Sequence, residues 1–412
     1  MANVAAKVAV IGSGISGAVC ASTLAKNGIS VTLFESGRGP GGRMSQRREM
    51  TEDGRELHFD HGVPYFSAKN PDVLRLICEW QSKGLVAEWK EKFATFDCDS
   101  KQFLDIEQEG LEKKYVGVPG MNSICKSLCQ EPGVQSRFGV GVGRLEWLDN
   151  EDSWSLMGLN GESLGYFKGV VTSDKSTFSQ RFTNVTGKPV PIDMEKFPEI
   201  SLKMTEIPVN PCFALMLAFE EPLTEIPIRG FSFKSSKVLH RAFCDSSKPG
   251  RSRNSERWVL HSTAEYAQDV IAQTGLQKPS SATLTKVAEE LFQEFQSTKL
   301  SIPQAFFKKA HRCLRWQLCS HVGGLKYLDM FSFLLACCCT YISCHIYVAI
   351  ACEFVRGSAF PAISVAENEK CLWDAKKRLA VCGDFCVSPN VEGAIISGLA
   401  AAAKCSEVLC RL

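Results

Sequence analysis

The residues with the clearest chemistry stand at opposite ends of the 412-residue chain. Near its start, Gly12-Ser13-Gly14-Ile15-Ser16-Gly17 repeats glycine at a spacing that suits phosphate. Gly12 permits a tight turn, Gly14 lets a pyrophosphate approach the backbone, and Gly17 lets a helix pack close to a strand. Glu35 follows where a carboxylate accepts hydrogen bonds from ribose hydroxyls, and an acid there suits a ribose without a phosphate. Gly41-Gly42-Arg43 adds a second close-approaching stretch and a cation for the pyrophosphate. Near the end, Cys382-Gly383-Asp384 and Val391-Glu392-Gly393-Ala394 complete the set. An acid at the end of a strand suits a ribityl hydroxyl. The start of the next helix aims N–H groups at the electron-rich pyrimidine edge of a flavin. NAD alone leaves Gly42, Arg43 and Asp384 without a purpose, so the two motifs together point to FAD.

Rigid elements must hold these groups. Val8-Ala9-Val10-Ile11 is a short apolar run that reads as a buried parallel strand, with a helix over residues 18–26 and a second strand at Val31-Thr32-Leu33-Phe34. Residues 378–382 read as another buried strand, and 393–404 as a helix rich in alanine. Between them the pattern predicts helices over 71–82, 120–128 and 283–296, and strands within 93–115, 134–148, 154–159, 167–172 and 212–219. Phe213 and Met216 are candidates for lining the flavin face.

These motifs, with Phe59-Asp60-His61-Gly62-Val63-Pro64-Tyr65-Phe66, Gly120-Met121-Asn122 and Ala310-His311-Arg312, resemble the renalase-like branch of the FAD-dependent amine-oxidase-type oxidoreductases, above all its plant members. The likeness runs from Val8 to about Ala403. It implies an α/β fold: a Rossmann-like FAD-binding domain with a parallel sheet and flanking helices, plus an α+β substrate domain with a mainly antiparallel sheet. It also implies non-covalent FAD held in part by Gly62 and Tyr65, and oxidation of a small reduced substrate by hydride transfer. In that branch the substrate is a dihydronicotinamide isomer and oxygen accepts the electrons. Pro64 stands where Gln is usual, so dihydronicotinamide and amine substrates both stay open.

The chain is expected to weave between domains, with 1–70, 119–186 and 365–412 binding FAD and 71–118 and 187–364 facing the substrate. Composition agrees with a soluble enzyme: 45% hydrophobic and 22% charged residues. A net charge of +2 makes no electrostatic case for nucleic acid. No secretory segment precedes the first strand, so the 19 cysteines read as reduced thiols. Cys382 and Cys386 are expected beside the flavin as core residues or a redox pair, and no Cys/His spacing matches a metal site. His61 and His311 are the histidines within the motifs, each a substrate contact or a structural hydrogen bond. Residues 1–7 do not read as a transit peptide, so the expected compartment is cytoplasmic, a plastid location requiring a longer start.

One segment interrupts the likeness. Residues 313–356 are a Cys-rich apolar insert, and 330–352 contains no Asp, Glu, Lys or Arg, long enough at ~1.5 Å per residue to span a bilayer as a helix. A single span there would put Gly12 and Gly383 on opposite sides of a membrane, although both must contact one FAD molecule. Membrane contact is therefore not favoured, and the insert reads as a retained intron or isoform-specific exon. Two alternatives to an FAD oxidoreductase stay open: a dehydrogenase using NAD alone, and an impaired isoform acting as a binding or membrane-attached protein.

Overall fold

The computed structural model describes residues 7–51, 54–107, 112–204, 207–275, 279–300, 302, 346–353 and 360–410. Its first layer is a six-stranded sheet in the order Leu372–Asp374, Leu379–Val381, Gly169–Thr172, Lys7–Ile11, Ser30–Glu35, Val134–Phe138. All neighbours are parallel except the first pair. Both faces of the central strand are covered, which is why it reads as continuously apolar. Val8 and Val10 pack with the helices Ile15–Lys26, Asn122–Leu128 and Val391–Leu409. Ala9 and Ile11 pack with an antiparallel meander, Val142–Leu148, Ser153–Gly158 and Ser163–Phe167, through Leu145, Trp154 and Phe167.

The second layer is a seven-stranded, mainly antiparallel sheet: Ile346–Glu353, Phe213–Phe219, Glu256–Ser262, Leu239–Cys244, Gly230–Lys234, Phe93–Asp97, Gln102–Leu104. The single parallel pair is Gly230–Lys234 with Phe93–Asp97. Phe213, Leu215, Leu217 and Trp258 face the helices Ala264–Thr274 and Ser281–Ser297, meeting Ala267, Leu291 and Phe295. The opposite side carries Ala214, Met216 and Val259 against Leu57 and Phe59. The α/β class with a Rossmann-like parallel sheet and a separate antiparallel sheet is therefore the observed architecture.

Three expectations change. Residues 346–353 of the supposed foreign insert form the edge strand of the second sheet, pairing with Phe213–Phe219 from Phe213↔Glu353 to Phe219↔Ile346. Part of the apolar stretch is thus a strand, whose backbone pairs along an otherwise open sheet edge. No helix among the described residues is long and apolar enough to cross a membrane. Phe213 and Met216 are core residues on opposite faces of the sheet, and neither reaches the cavity described below. The helix Pro71–Ser82, expected with the substrate domain, sends Val73, Ile77 and Trp80 into the core of the first sheet, because its apolar stripe faces that way. His311 and the remainder of the insert lie outside the described residues.

A buried charge cluster joins the layers. Asp60 accepts a hydrogen bond from the backbone N–H of Met121, at the head of Asn122–Leu128, at 3.1 Å. It also pairs with Lys248 at 3.1 Å and with Arg251. Lys248 bridges onward to Asp245 at 2.6 Å. All four side chains are buried, and Asp245, Lys248 and Arg251 belong to the loop between Leu239–Cys244 and Glu256–Ser262.

Candidate functional site

A cavity of about 1050 Å³ lies between the layers, lined on one side by the glycine turn and on the other by the second sheet. It stands at the upper end of ligand pockets, roughly 300–1,000 Å³, which leaves room for a cofactor and a small second molecule.

The turn is built by sterics. Gly12 has φ +96°, and a Cβ there would meet Ser173 Oγ at 2.6 Å. Gly17 lies against the strand, where a Cβ would sit 2.1 Å from the Gly12 carbonyl oxygen. It shapes the turn without lining the cavity. Gly14 is the N-cap of Ile15–Lys26, and a Cβ there would meet nothing within 4 Å. The space in front of it is a cradle for a group brought against bare backbone, at a helix N-terminus that favours an anion. Ser13 and Ser16 line the same wall. Gly42 approaches Gly14 closely, a Cβ on it lying 3.3 Å from Gly14 Cα.

The charged groups expected at the cofactor are already engaged. Glu35 Oε2 accepts from the Ser13 N–H at 2.9 Å and the Ser13 hydroxyl at 2.6 Å, and Oε1 accepts from the Gly37 N–H at 2.7 Å. A ribose hydroxyl would share or replace the Ser13 hydroxyl. Arg43 and Asp384 form a bidentate pair, both bonds 2.6 Å, with the Phe360 ring 5.4 Å from the guanidinium. The sequence offered them as separate ligands of pyrophosphate and ribityl chain; packing pairs them across 341 positions.

Two residues act differently from expectation. Glu392 lines the cavity, but its Oε1 accepts from the backbone N–H groups of Lys69 and Asn70, both at 2.6 Å, so it ties the loop after Ala68 to the C-terminal helix. Gly393 donates its N–H to Asn390 Oδ1 at 2.7 Å and is crowded by Ser388, so it lies off the wall. Ala394 is on the wall with its N–H bonded to the Asn390 carbonyl. The N–H groups left for a ligand at that helix start are therefore those of Val391 and Glu392. Gly383 and Asp384 line the cavity. Cys382 and Cys386 do not; both are buried, and desolvation raises both thiols, Cys386 to about 12, so they stay protonated core residues.

The opposite wall was not legible in advance. Gly62, Val63, Pro64 and Tyr65 lead onto it. Tyr65 is wedged edge-on among Phe93 and Phe243, at 5.3 and 5.9 Å between ring centroids. Cys212, His240, Arg241, His261, Thr263 and Glu265 follow from the second sheet and the helix above it, with Asn210 from the short strand Val209–Asn210 that pairs with Phe360–Pro361. His261 Nε2 lies 2.9 Å from the His61 carbonyl oxygen, which can only accept, so the proton sits on Nε2. Burial, the largest cause, with Arg241 and His240 adding to it, lowers the His261 pKa to about 4 and leaves the ring neutral. His61, a substrate contact or a structural hydrogen bond by its sequence, serves that bond through its backbone and is not on the wall. No sequence spacing marks these residues, because they are cross-strand neighbours rather than a local motif. Among the described residues no cluster has the ligand set for a metal.

The comparisons agree with this geometry. A family model described as an NAD(P)-binding Rossmann-like domain matches residues 10–80. A solved structure from Exiguobacterium sp. 255-15, provisionally described as a protoporphyrinogen oxidase, superposes with a TM-score of 0.61 at 9% identity, covering 99% of both chains. Wild-type putrescine oxidase bound to putrescine superposes with a TM-score of 0.56 at 11% identity, covering 97% of this chain and 98% of that one. At such identities the likeness establishes a shared fold.

Proposed function

We propose that the chain is an FAD-dependent oxidoreductase of the renalase-like kind, oxidising a small dihydronicotinamide-type substrate with oxygen as acceptor. One observation carries the reading: a single cavity runs from a dinucleotide turn to a wall of side chains from the second sheet. FAD, when bound, supplies the hydride acceptor.

The protein's part is positioning. Gly12, Gly14 and the head of Ile15–Lys26 receive the pyrophosphate, Glu35 the ribose, and Arg43 and Asp384 act as one paired unit beside the flavin half. Pro64, Tyr65 and Phe360 keep water from the reacting faces. His261, neutral with its proton on Nε2, lines this wall beside His240 and Arg241. No side-chain base is needed for hydride transfer from such a ring.

The wall is a poor fit for a cationic polyamine. Of the six carboxylates lining the cavity, Glu35, Asp174, Asp384 and Glu392 hold hydrogen bonds, Glu112 pairs with Lys69 at 3.9 Å, and Glu265 shares its wall with two basic side chains. Arg241 and His240 stand on the substrate side. The test is the visible spectrum of purified protein, followed by anaerobic addition of dihydronicotinamide isomers and, separately, putrescine. Bound flavin bleached by the former and recovered in air is the expected result. Colourless protein, or bleaching by putrescine alone, overturns it.

A further inference from the structure

The strand Leu239–Cys244 breaks its own alternation. Leu239, Ala242 and Cys244 point into the core beneath the helices, whereas Phe243 points to the other face. Regular pleating would then send His240 into the phenylalanine-rich core. The register with Glu256–Ser262 slips instead between Leu239↔Ser262 and Arg241↔His261. That bulge delivers two consecutive side chains, His240 and Arg241, to the cavity.

Arg241 is a cation with work left to do. Among the described residues it makes no ion pair, while Arg43 and Lys69 on the same cavity are paired. Its charge reaches Tyr65, His240 and His261, lowering the pKa of each against or alongside the larger effect of burial. The opposing carboxylate on this wall is Glu265, in the first turn of Ala264–Thr274. There the helix dipole offsets it. Thr263 caps that helix by accepting from the Tyr266 N–H, leaving the N–H groups of Ala264 and Glu265 as further donors at the cavity.

We propose that Arg241, aimed by the bulge and backed by the start of Ala264–Thr274, anchors a phosphate group of the substrate and so selects phosphorylated over unphosphorylated reductants. A guanidinium fork and a helix start suit phosphate geometry in a way that a lone ammonium does not. The inference rests on reading this wall as the substrate side.

The test uses full-length protein reconstituted with FAD and calorimetric titration with two unreactive ligands, nicotinamide mononucleotide and nicotinamide riboside. The mononucleotide is expected to bind at least ten-fold more tightly, as a hydrogen-bonded charge pair requires. Arg241→Gln is expected to bring it to the level of the riboside with flavin content unchanged, and Arg241→Lys to recover part of the difference. Glu265→Gln is expected to sharpen the preference. Equal binding of the two ligands by the unaltered protein, no binding of either, or an equal loss of both in Arg241→Gln overturns the anchor. Reduced mononucleotide that binds tightly through Arg241 yet leaves the flavin oxidised would sink the oxidase reading while the anchor stands.

Discussion

The two walls of the cavity are built on opposite plans. The turn wall is backbone: Gly12, Gly14 and Gly42 give up side chains so that a ligand meets N–H groups, and its charges are already paired as Arg43 with Asp384 and Glu35 with Ser13. The sheet wall is side chain: His240, Arg241, His261 and Thr263 project from strands and from a helix cap. A wall of closely packed backbone with its charges already paired is pre-organised and tolerates little change. A wall of projecting side chains can be altered residue by residue with the scaffold intact.

The sharpest way to break the comparison is to separate the walls. Asp60→Ala leaves the buried Lys248 and Arg251 to share Asp245 as their remaining carboxylate, and losing one partner of such a buried pair costs about 3–5 kcal/mol. Thermal unfolding should show loss of the folded protein or a large fall in melting temperature, and a variant as stable as the parent would mean that the cluster does not hold the layers together. Acid probes the same junction through His261. Its folded pKa, about 4, lies below the ordinary 6.5, so the unfolded chain binds the extra proton first. Stability is therefore full above pH 6.5 and falls as pH drops towards 4, by about 3 kcal/mol at most from this residue. Denaturant titrations across that window should show the loss, and His261→Gln should remove this share of it.

Behind the turn wall, Gly17→Ala forces a Cβ against the Gly12 carbonyl, an overpacking worth about 1–3 kcal/mol that distorts the turn. Flavin retention after gel filtration should drop, whereas Thr263→Ala on the sheet wall should keep its flavin. Equal retention in both would erase the distinction between the walls. Asp384→Asn should weaken flavin binding about ten-fold or more by breaking the bidentate pair, on the ~1.5–3 kcal/mol scale of charged hydrogen bonds. The smallest expected effect is deletion of 313–345, which leaves the edge strand Ile346–Glu353 in place and should preserve solubility and flavin content. Extending the deletion through 353 should lower both by opening the edge of Phe213–Phe219.

How much was legible follows from the same contrast. Lys7–Ile11 and Ser30–Glu35 appear almost residue for residue in the apolar pattern, and Pro71–Ser82 matches its predicted span, because a strand buried on both faces and a capped amphipathic helix write themselves into local sequence. The edge strand Ile346–Glu353 was hidden inside a stretch whose hydropathy suited a membrane helix, since composition alone does not say whether an apolar run meets lipid or a sheet edge. His261 and Arg241 carried no signal, as nothing local distinguishes a strand residue aimed at a cavity from one aimed at solvent.

By itself the sequence determined the glycine turn, the acid at the end of the second strand and the parallel layer that carries them, because a tight strand-to-helix turn demands glycine at set intervals along the chain. Tertiary structure alone decided that Arg43 would meet Asp384, that Glu392 would bind backbone N–H groups, and that a one-residue bulge would turn His240 and Arg241 into the cavity. Those outcomes depend on distances between elements far apart in the chain, and such distances are set by how the two sheets pack.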